Sequence, residues 1–313
     1  MNLVPVAYSE IRRDLLAGKL TCVDIVQGHL DRIAAYNAQL NAFLTVYEQE
    51  ALARAHEVDA KIKQGNAGPL AGLVVGIKDL LCYADHPSQA GSQILNGFKS
   101  TFSATAVQRL LDADAIIIGR QNCDEFGMGS TNENSSFGPV LNFANTEHVA
   151  GGSSGGSAVA VQAGMCQVSL GTDTGGSIRM PAAFCGIMGL KPTYGRVSRW
   201  GLIAYASSFD TIGPMGHFVE DLALVLQTIE GKDGYDSTVV DDIDVTFPTK
   251  KKVAYMKEIV EHPSLQVEIR DAFFVQLEIL KQKGYEVVSV DFPYIEQLLP
   301  TYYVLTTAEA SSN

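Results

Sequence analysis

The chain has 313 residues, 46% of them hydrophobic, and its 35 acidic against 23 basic residues give a formal net charge of −12 at pH 7. This composition is typical of a globular enzyme-sized protein with a large core. The negative charge argues against a chain that holds a nucleic-acid backbone by itself, because such binding requires a cationic face.

The chain opens with two predicted helices. In the first, apolar residues recur at helical spacing after Thr21, which is expected to cap the helix together with Asp24. The second is rich in helix formers and is expected to stop at Gly65. Two short apolar runs, Leu73 to Ile77 and Ala115 to Ile118, then predict buried strands that alternate with helices. This alternation predicts an α/β fold with a mixed central sheet between helical layers.

The later part of the chain predicts a strand, a helix and a second strand between Lys251 and Phe292. An acidic, loop-like boundary from Asp233 to Pro248 precedes it. The end, TYYVLTTAEASSN, looks apolar and β-rich, with no partner strand after it. We therefore expect exposed apolar surface there, and hence self-association or reduced stability.

The cysteines and the apolar runs restrict the class of protein. The cysteines form no C-x-x-C pair and are odd in number, so neither a disulfide framework nor a zinc site is predicted: Cys22, Cys82, Cys123, Cys166 and Cys185. No apolar run approaches the roughly 18 residues of a membrane span, and the first residues lack the pattern of a signal peptide. We expect a cytoplasmic protein that binds neither a metal ion nor a membrane.

The stretch AGGSSGGSAVAV, from Ala150 to Val161, allows three interpretations. Glycine and serine are the usual composition of a flexible loop. A phosphate-binding loop is disfavoured because no lysine follows the glycines in the required pattern. The third interpretation is a serine nucleophile or proton relay with glycine amides nearby.

A second glycine run, GTDTGGSIRMPAAFCG, favours the third interpretation. Ser177 follows Gly175 and Gly176 and precedes a predicted helix start, which is the arrangement that an oxyanion-binding loop requires. The base remains to be found. None of the six histidines lies in a recognisable triad motif, and His148 is expected at the surface. Lys78, directly after an apolar run, can act as the base if burial keeps it neutral.

These motifs resemble the amidase signature family. GIKD, AGGSSGGSAVAV and GTDTGGSIRMPAAFCGIMGLKPT carry the resemblance, which extends from about Leu70 to Asp236 as a core within a single domain of residues 1–313. Leu80 and Ala150 depart from the usual asparagine and proline. DEFGMGSTNENSSFGPV and KPTYGRVSRWGLIAYASSFDTIGPM resemble one branch of the family, the A subunits of glutamyl-tRNA(Gln) amidotransferases.

The resemblance implies a mechanism. Ser177 is the expected nucleophile that carries an acyl-ester, Ser153 follows a cis peptide and relays the proton, and Lys78 is the general base. The expected oxyanion donors are the amides of Thr174, Gly175, Gly176 and Ser177. Other implied roles are support of the relay (Ser154), bracing of the loop by a charge pair (Asp173 and Arg179), and contact with the substrate (Met128, Gly129 and Ser130).

The resemblance also implies a function and partners. The expected substrate is glutamine, and the ammonia released from it would amidate Glu-tRNA(Gln). That tRNA would be held by a B subunit, with a small C subunit bridging the two. No cofactor is expected in this chain, whereas the partner's reaction implies ATP and magnesium. Relatives run past Asn313, and their later segment is expected to supply glutamine-binding charges and close the sheet. Two rivals remain: a stand-alone amidase acting on another small carboxamide, and a non-catalytic binding protein.

Overall fold

The computed structural model describes residues 5–240 and 251–313. The chain divides into two compact units, whose described residues are 5–240 together with Asn313 and, for the second unit, 251–312. The predicted boundary from Asp233 to Pro248 lies partly outside the described residues. The single domain over 1–313, with its core at 70–236, stays a prediction.

The first unit alternates helices and strands, as the sequence predicts. Its elements are α1 Tyr8–Leu16, α2 Cys22–Leu40, β1 Phe43–Val46, α3 Glu48–Gln64, β2 Val74–Lys78, α4 Thr105–Asp112, β3 Ile116–Gln121, α5 Gly155–Gln162, β4 Val168–Asp173, α6 Arg179–Phe184, β5 Met188–Gly189, β6 Thr211–Gly216 and α7 Val219–Ile229.

The predicted helix boundaries at the start of the chain are confirmed. Thr21 and Asp24 form a reciprocal capping box, in which the Thr21 hydroxyl accepts from the amide of Asp24 and the Asp24 carboxylate accepts from the amide of Thr21. Gly65 ends α3 in the left-handed region at φ +74°, a conformation that glycine adopts without steric cost.

Six of the described strands form one mixed sheet in the order β1-β3-β2-β4-β6-β5. The central strands β3, β2 and β4 are parallel, and the outer pairings are antiparallel. Alternate strand residues point to opposite faces, so Val74 joins a core with α2, α3 and α5, whereas Val75 joins a core with α4 and α7. The predicted mixed sheet between helical layers is confirmed.

The described part of the second unit contains two parallel strands and three helices, namely β7 Lys252–Met256, α8 Lys257–Val260, α9 Val267–Gln282, β8 Glu286–Val290 and α10 Ile295–Ser312. The prediction of a strand, a helix and a strand is confirmed here. The prediction of a β-rich end is wrong, because residues 295–312 are helical. In this helix the hydroxyls of Thr306 and Thr307 donate to the carbonyls of Tyr302 and Tyr303, one turn earlier, so the β-branched threonines are accommodated.

Candidate active site

The parallel central strands place the predicted site at one edge of the sheet. Lys78 is the last residue of β2, and Asp173 is the last residue of β4. Ile77 pairs with Leu170 in this register. Because parallel strands end at the same edge, Lys78 comes next to the segment that leads into Ser177.

Lys78 is completely buried and is surrounded by hydroxyl groups. Its Nζ lies 2.7 Å from Ser153 Oγ, 2.8 Å from Thr172 Oγ1 and 2.9 Å from Ser154 Oγ. Burial is the largest cause that lowers the pKa of this amine, to about 8, because the ammonium loses its hydration. At pH 7, therefore, about one lysine in ten is the free amine.

The ammonium and the free amine of Lys78 make different hydrogen bonds with the three hydroxyls. An ammonium donates three hydrogen bonds, whereas a free amine donates two and offers one lone pair. The Ser154 hydroxyl can donate to the carbonyl of Thr172, at 3.1 Å. When the Ser154 hydroxyl donates its proton to the Thr172 carbonyl, its oxygen accepts a hydrogen bond from Lys78 Nζ. Ser153 can then donate to the lone pair, which is the direction that a proton relay requires.

The glycines of the first run lie where other groups approach the backbone. A Cβ at Gly152 would lie 2.1 Å from Asp124 Oδ2, and one at Gly155 would lie 2.4 Å from Asn132 Oδ1. At Gly156 it would meet the Asn122 carbonyl oxygen at 2.4 Å. The peptide bond between Gly152 and Ser153 is cis, as the resemblance implies. The run is therefore a closely packed loop rather than a flexible linker.

Ser177 lies next to the relay residues through the backbone. Its carbonyl oxygen accepts from the amide of Ser154 at 3.2 Å, and the residue is buried. The structure thus brings the two predicted serine loops together, although they are separated by α5 and β4. In the part of the chain that is described, no hydrogen bond joins the hydroxyls of Ser177 and Ser153, so that relay step stays a prediction.

Asp173 braces the loop before Ser177. Its carboxylate accepts from the amides of Gly176 and Ile178 and makes two charge-assisted bonds with the guanidinium of Arg179, at 2.9 and 3.0 Å. Burial by itself would raise the pKa of the Asp173 carboxyl, but these bonds outweigh it and lower that pKa. The predicted charge pair is present.

One predicted oxyanion donor is already engaged. The Gly176 amide donates to Asp173 Oδ1 at 2.8 Å, so it already has a partner here, and its role as an oxyanion donor stays a prediction. Gly176 also has a backbone conformation, at φ +136°, that is unfavourable for other residues. Among the described hydrogen bonds, none uses the amides of Thr174, Gly175 or Ser177, and these three remain candidate donors.

The predicted substrate-contacting segment lies against the same loop. The carbonyl of Ser130 accepts from the amide of Gly152 at 2.7 Å, and a Cβ at Gly129 would lie 2.2 Å from Asp124 Cγ. The Met128 side chain is exposed. These positions are consistent with a wall beside Ser153, and the contact with substrate stays a prediction.

Three functional candidates are missed by the sequence interpretation, namely Thr172, Asp124 and Asp210. Thr172 provides the third hydroxyl on Lys78. Asp124 is buried against Gly152, and Asp210 accepts from the Thr174 hydroxyl at 2.6 Å. Each stands inside one of the family motifs, in GTDTGG, DEFGMG or SSFDTIGPM, but nothing local shows which of its polar residues face the site.

The remaining predictions concern cysteine, histidine and metals. All five cysteines are free and buried, and burial raises the pKa of the Cys166 and Cys185 thiols to about 12, which makes them poor nucleophiles. His148 is exposed, as predicted. Within residues 5–240 and 251–313, no acidic, histidine or cysteine cluster suited to a metal ion occurs, and no helix is long and apolar enough to cross a membrane.

Known proteins are similar to this chain in sequence. The family model described as Amidase matches residues 24–313. The chain belongs to the amidase family. Its relatives include the A subunit of the glutamyl-tRNA(Gln) amidotransferase of Salinibacter ruber, 47% identical over 98% of this chain and 61% of the relative, and that of Chloroflexus aggregans, 46% identical over 96% and 63%. This amidase-family chain therefore spans less than two thirds of the length of these relatives.

Solved structures show the same fold. The A subunit of the glutamyl-tRNA(Gln) amidotransferase from Thermotoga maritima superimposes with a TM-score of 0.81 at 37% identity, over 94% of this chain and 66% of that one. The peptide amidase from Stenotrophomonas maltophilia superimposes with a TM-score of 0.88 at 31% identity, over 99% and 67%. The chain accordingly has the amidase signature fold and belongs to a family of enzymes.

Proposed function

We propose that this chain is the glutamine-hydrolysing subunit of a glutamyl-tRNA(Gln) amidotransferase. The observation that carries the proposal is the buried Lys78 amine, bonded to three hydroxyls and placed beside the loop of Ser177. The similarity to amidotransferase A subunits over nearly the whole chain favours glutamine as the carboxamide.

The acylation step follows from the hydroxyls and the amine. Ser177 Oγ attacks the side-chain carboxamide carbon of glutamine while its proton passes through Ser153 to the free amine of Lys78. The tetrahedral oxyanion that forms would receive hydrogen bonds from the amides of Thr174, Gly175 and Ser177, which no described hydrogen bond uses. Collapse of this intermediate breaks the C–N bond, and Lys78 returns the proton through Ser153 to the departing ammonia. Ser177 is left as the acyl-ester.

The deacylation step uses the same proton path. Water adds to the acyl-ester and gives its proton through Ser153 to Lys78. The C–O bond to Ser177 then breaks, glutamate leaves, and the proton returns to Ser177. Ser154 and Thr172 keep accepting hydrogen bonds from Lys78 throughout, which leaves its lone pair directed towards Ser153.

The partners follow from the relatives and from the charge of the chain. We infer that the ammonia passes to a B subunit that holds Glu-tRNA(Gln) and uses ATP and magnesium, with a C subunit bridging the two in the cytoplasm. The net charge of −12 supports a chain that leaves tRNA binding to its partner. A stand-alone amidase is the second candidate, because the structure also superimposes on a peptide amidase, with a TM-score of 0.88.

Covalent trapping tests the mechanism. The chain is incubated with a glutamine analogue that carries an electrophile in place of the amide, digested, and analysed by mass spectrometry. The label is expected on Ser177 and absent from the Ser177→Ala variant. Label on Ser153, Cys123 or Cys185 in the parent chain would contradict the assignment.

The choice between the two activities needs a second assay. Ammonia release from glutamine and from a C-terminal peptide amide is measured with and without added B and C subunits. We expect glutamine to be preferred and the ammonia to appear in Gln-tRNA(Gln) when the partners, ATP and Glu-tRNA(Gln) are present. Equal or faster hydrolysis of the peptide amide, with no transfer to tRNA, would favour the stand-alone amidase.

A further inference from the structure

Asp124 is a buried carboxylate that has hydrogen-bond donors but, among the described residues, no cationic partner. It follows β3, is fully buried, and accepts from the amides of Asn132 and Asn134, each at 3.1 Å. In the described part of the chain, no lysine, arginine or histidine lies within ion-pair distance of it. Burial raises the pKa of this carboxyl, since its charged form loses hydration. A buried carboxylate charge without a cation nearby lowers the stability of the fold unless another charged group interacts with it.

Asp124 contacts the residues that flank Ser153. Its own amide donates to the carbonyl of Ser153 at 3.2 Å, and its carboxylate occupies the space that a side chain at Gly152 would need. The same carboxylate lies against Gly129, and both of its backbone donors belong to the loop that follows. Asp124 therefore fixes the position of the Gly152–Ser153 segment relative to the end of β3.

The other acidic groups that face Lys78 are either neutral or bonded to other groups. The Cys123 thiol stays neutral because burial raises its pKa above the ordinary range. Asp173 is paired with Arg179. Asp210 receives the Thr174 hydroxyl and the amides of Tyr205 and Ala206, and Arg199 also faces it.

Two further acidic residues lie near these groups. Asp79, the sequence neighbour of Lys78, is paired with the buried Arg120 at 3.4 Å. Glu133 faces Asp124 rather than Lys78. Among the described carboxylates that face Lys78, Asp124 is thus the one that has no ion-pair partner and contacts the backbone of Ser153.

We propose that Asp124 is a positioning residue with a second, electrostatic effect: it holds Ser153 at Lys78 and supplies the counter-charge for the ammonium that Lys78 becomes on accepting the proton. Its negative charge favours the protonated form of Lys78, and by reciprocity the positive charge of Lys78 favours the ionised form of Asp124. The catalytic meaning of this charge pair rests on the proposed function, whereas the pair itself does not.

The test measures the ionisation of Lys78 directly. Lysine labelled with ¹³C at Cε is incorporated into the full chain, the Lys78 resonance is assigned with Lys78→Met, and its pH titration is followed by NMR. In Asp124→Asn we expect the Lys78 pKa to fall by about half a unit or more. Glu133→Gln is the control, because it removes an exposed carboxylate that faces Asp124 and not Lys78, and we expect the Lys78 pKa to stay within about 0.2 unit there. An unchanged or higher Lys78 pKa in Asp124→Asn would overturn the proposal.

A reciprocal titration decides the matter if Asp124→Asn does not fold. The ¹³Cγ resonance of Asp124 is titrated in the parent chain and in Lys78→Met, and loss of the lysine charge is expected to raise the pKa of Asp124. The same value in both chains would overturn the proposal. Glutamine hydrolysis is measured in parallel, with kcat expected to fall by about tenfold or more in Asp124→Asn and KM to change little. If the parent does not hydrolyse glutamine, the proposed function fails while both titrations still decide the charge relation.

Discussion

Lys78 Nζ and Ser153 Oγ lie 2.7 Å apart in a fully buried site, although 75 positions separate the two residues in the chain. This contact couples the proton affinity of the amine to the relay serine. It also implies that activity depends on the ionisation of Lys78, whose pKa is lowered chiefly by burial.

The rate of acylation should rise with pH. The Lys78 pKa is lowered to about 8 by burial, so the free amine that accepts the proton increases from a minority at pH 7 to most of the enzyme at pH 9. We expect kcat/KM to increase about tenfold per pH unit below pH 7 and to level off above pH 8. Lys78→Arg should abolish turnover, because a guanidinium stays protonated. Retained activity in a folded Lys78→Arg variant would show that another group is the base.

Removal of the Lys78 amine should not cost stability at neutral pH. The folded-state pKa lies below the unfolded value of 10.5, so the unfolded chain binds more protons, and the stability of the parent rises between pH 8 and about 10.5. The deficit below pH 8 is on the order of 3 kcal/mol. In urea unfolding at pH 7 we expect Lys78→Met to be at least as stable as the parent, with its advantage shrinking at pH 10. A loss of stability that is the same at both pH values would contradict this linkage.

The Thr172 hydroxyl should help to orient the Lys78 lone pair towards Ser153, because it accepts a hydrogen bond from Lys78. Thr172→Val keeps the shape of the side chain but removes the third hydrogen-bond partner of Lys78. We expect kcat to fall by about tenfold or more, which corresponds to one lost hydrogen bond of a buried charged group. Thr172→Ser retains the hydroxyl and is the control, expected within about threefold of the parent. Equal activity of the valine and serine variants would remove Thr172 from the relay.

Two helical glycines make a matched pair for the packing of the glycine loop. A Cβ at Gly156 would meet backbone atoms of Asn122 and Ala42 at 2.4 to 2.7 Å, whereas one at Gly28 in α2 would meet nothing within 4 Å. We expect Gly156→Ala to destabilise the fold by about 2 kcal/mol or more. Gly28→Ala should stabilise it by up to about 1 kcal/mol. Thermal unfolding of both variants checks the contrast, and equal melting temperatures would contradict it.

Substitution of Asp173 should lower kcat more than substitution of Arg179, the arginine with which it pairs. Its carboxylate holds the amides of Gly176 and Ile178, whereas Arg179 is more than half exposed. We expect Asp173→Asn to lower kcat by at least about tenfold, because one acceptor oxygen becomes an amide donor facing backbone donors. Arg179→Gln should have the smaller effect, since an exposed partner contributes little. Steady-state kinetics of the two variants decides this order, and a larger loss in Arg179→Gln would reverse it.

The residues that local sequence signals define are predictable. The capping box of Thr21 and Asp24, the end of α3 at Gly65 and the apolar runs of β2 and β3 depend on neighbours a few positions away. Lys78 is only a candidate base on local grounds, because a lysine at the end of a strand most often lies in solvent, and the GIKD motif of the family is what identifies it. The family motifs then supply Ser153 and Ser177 together with the cis peptide between Gly152 and Ser153.

Tertiary structure alone decides the groups that surround these residues. Thr172 reaches Lys78 because Ile77 pairs with Leu170, a register set between strands more than 90 positions apart. Gly152 is needed because the Asp124 carboxylate occupies its side-chain space, and the Gly176 amide is engaged because Asp173 folds back on it. Such contacts leave no periodic or local pattern in the chain, because packing and strand register bring distant polar groups together only after the sheet has formed.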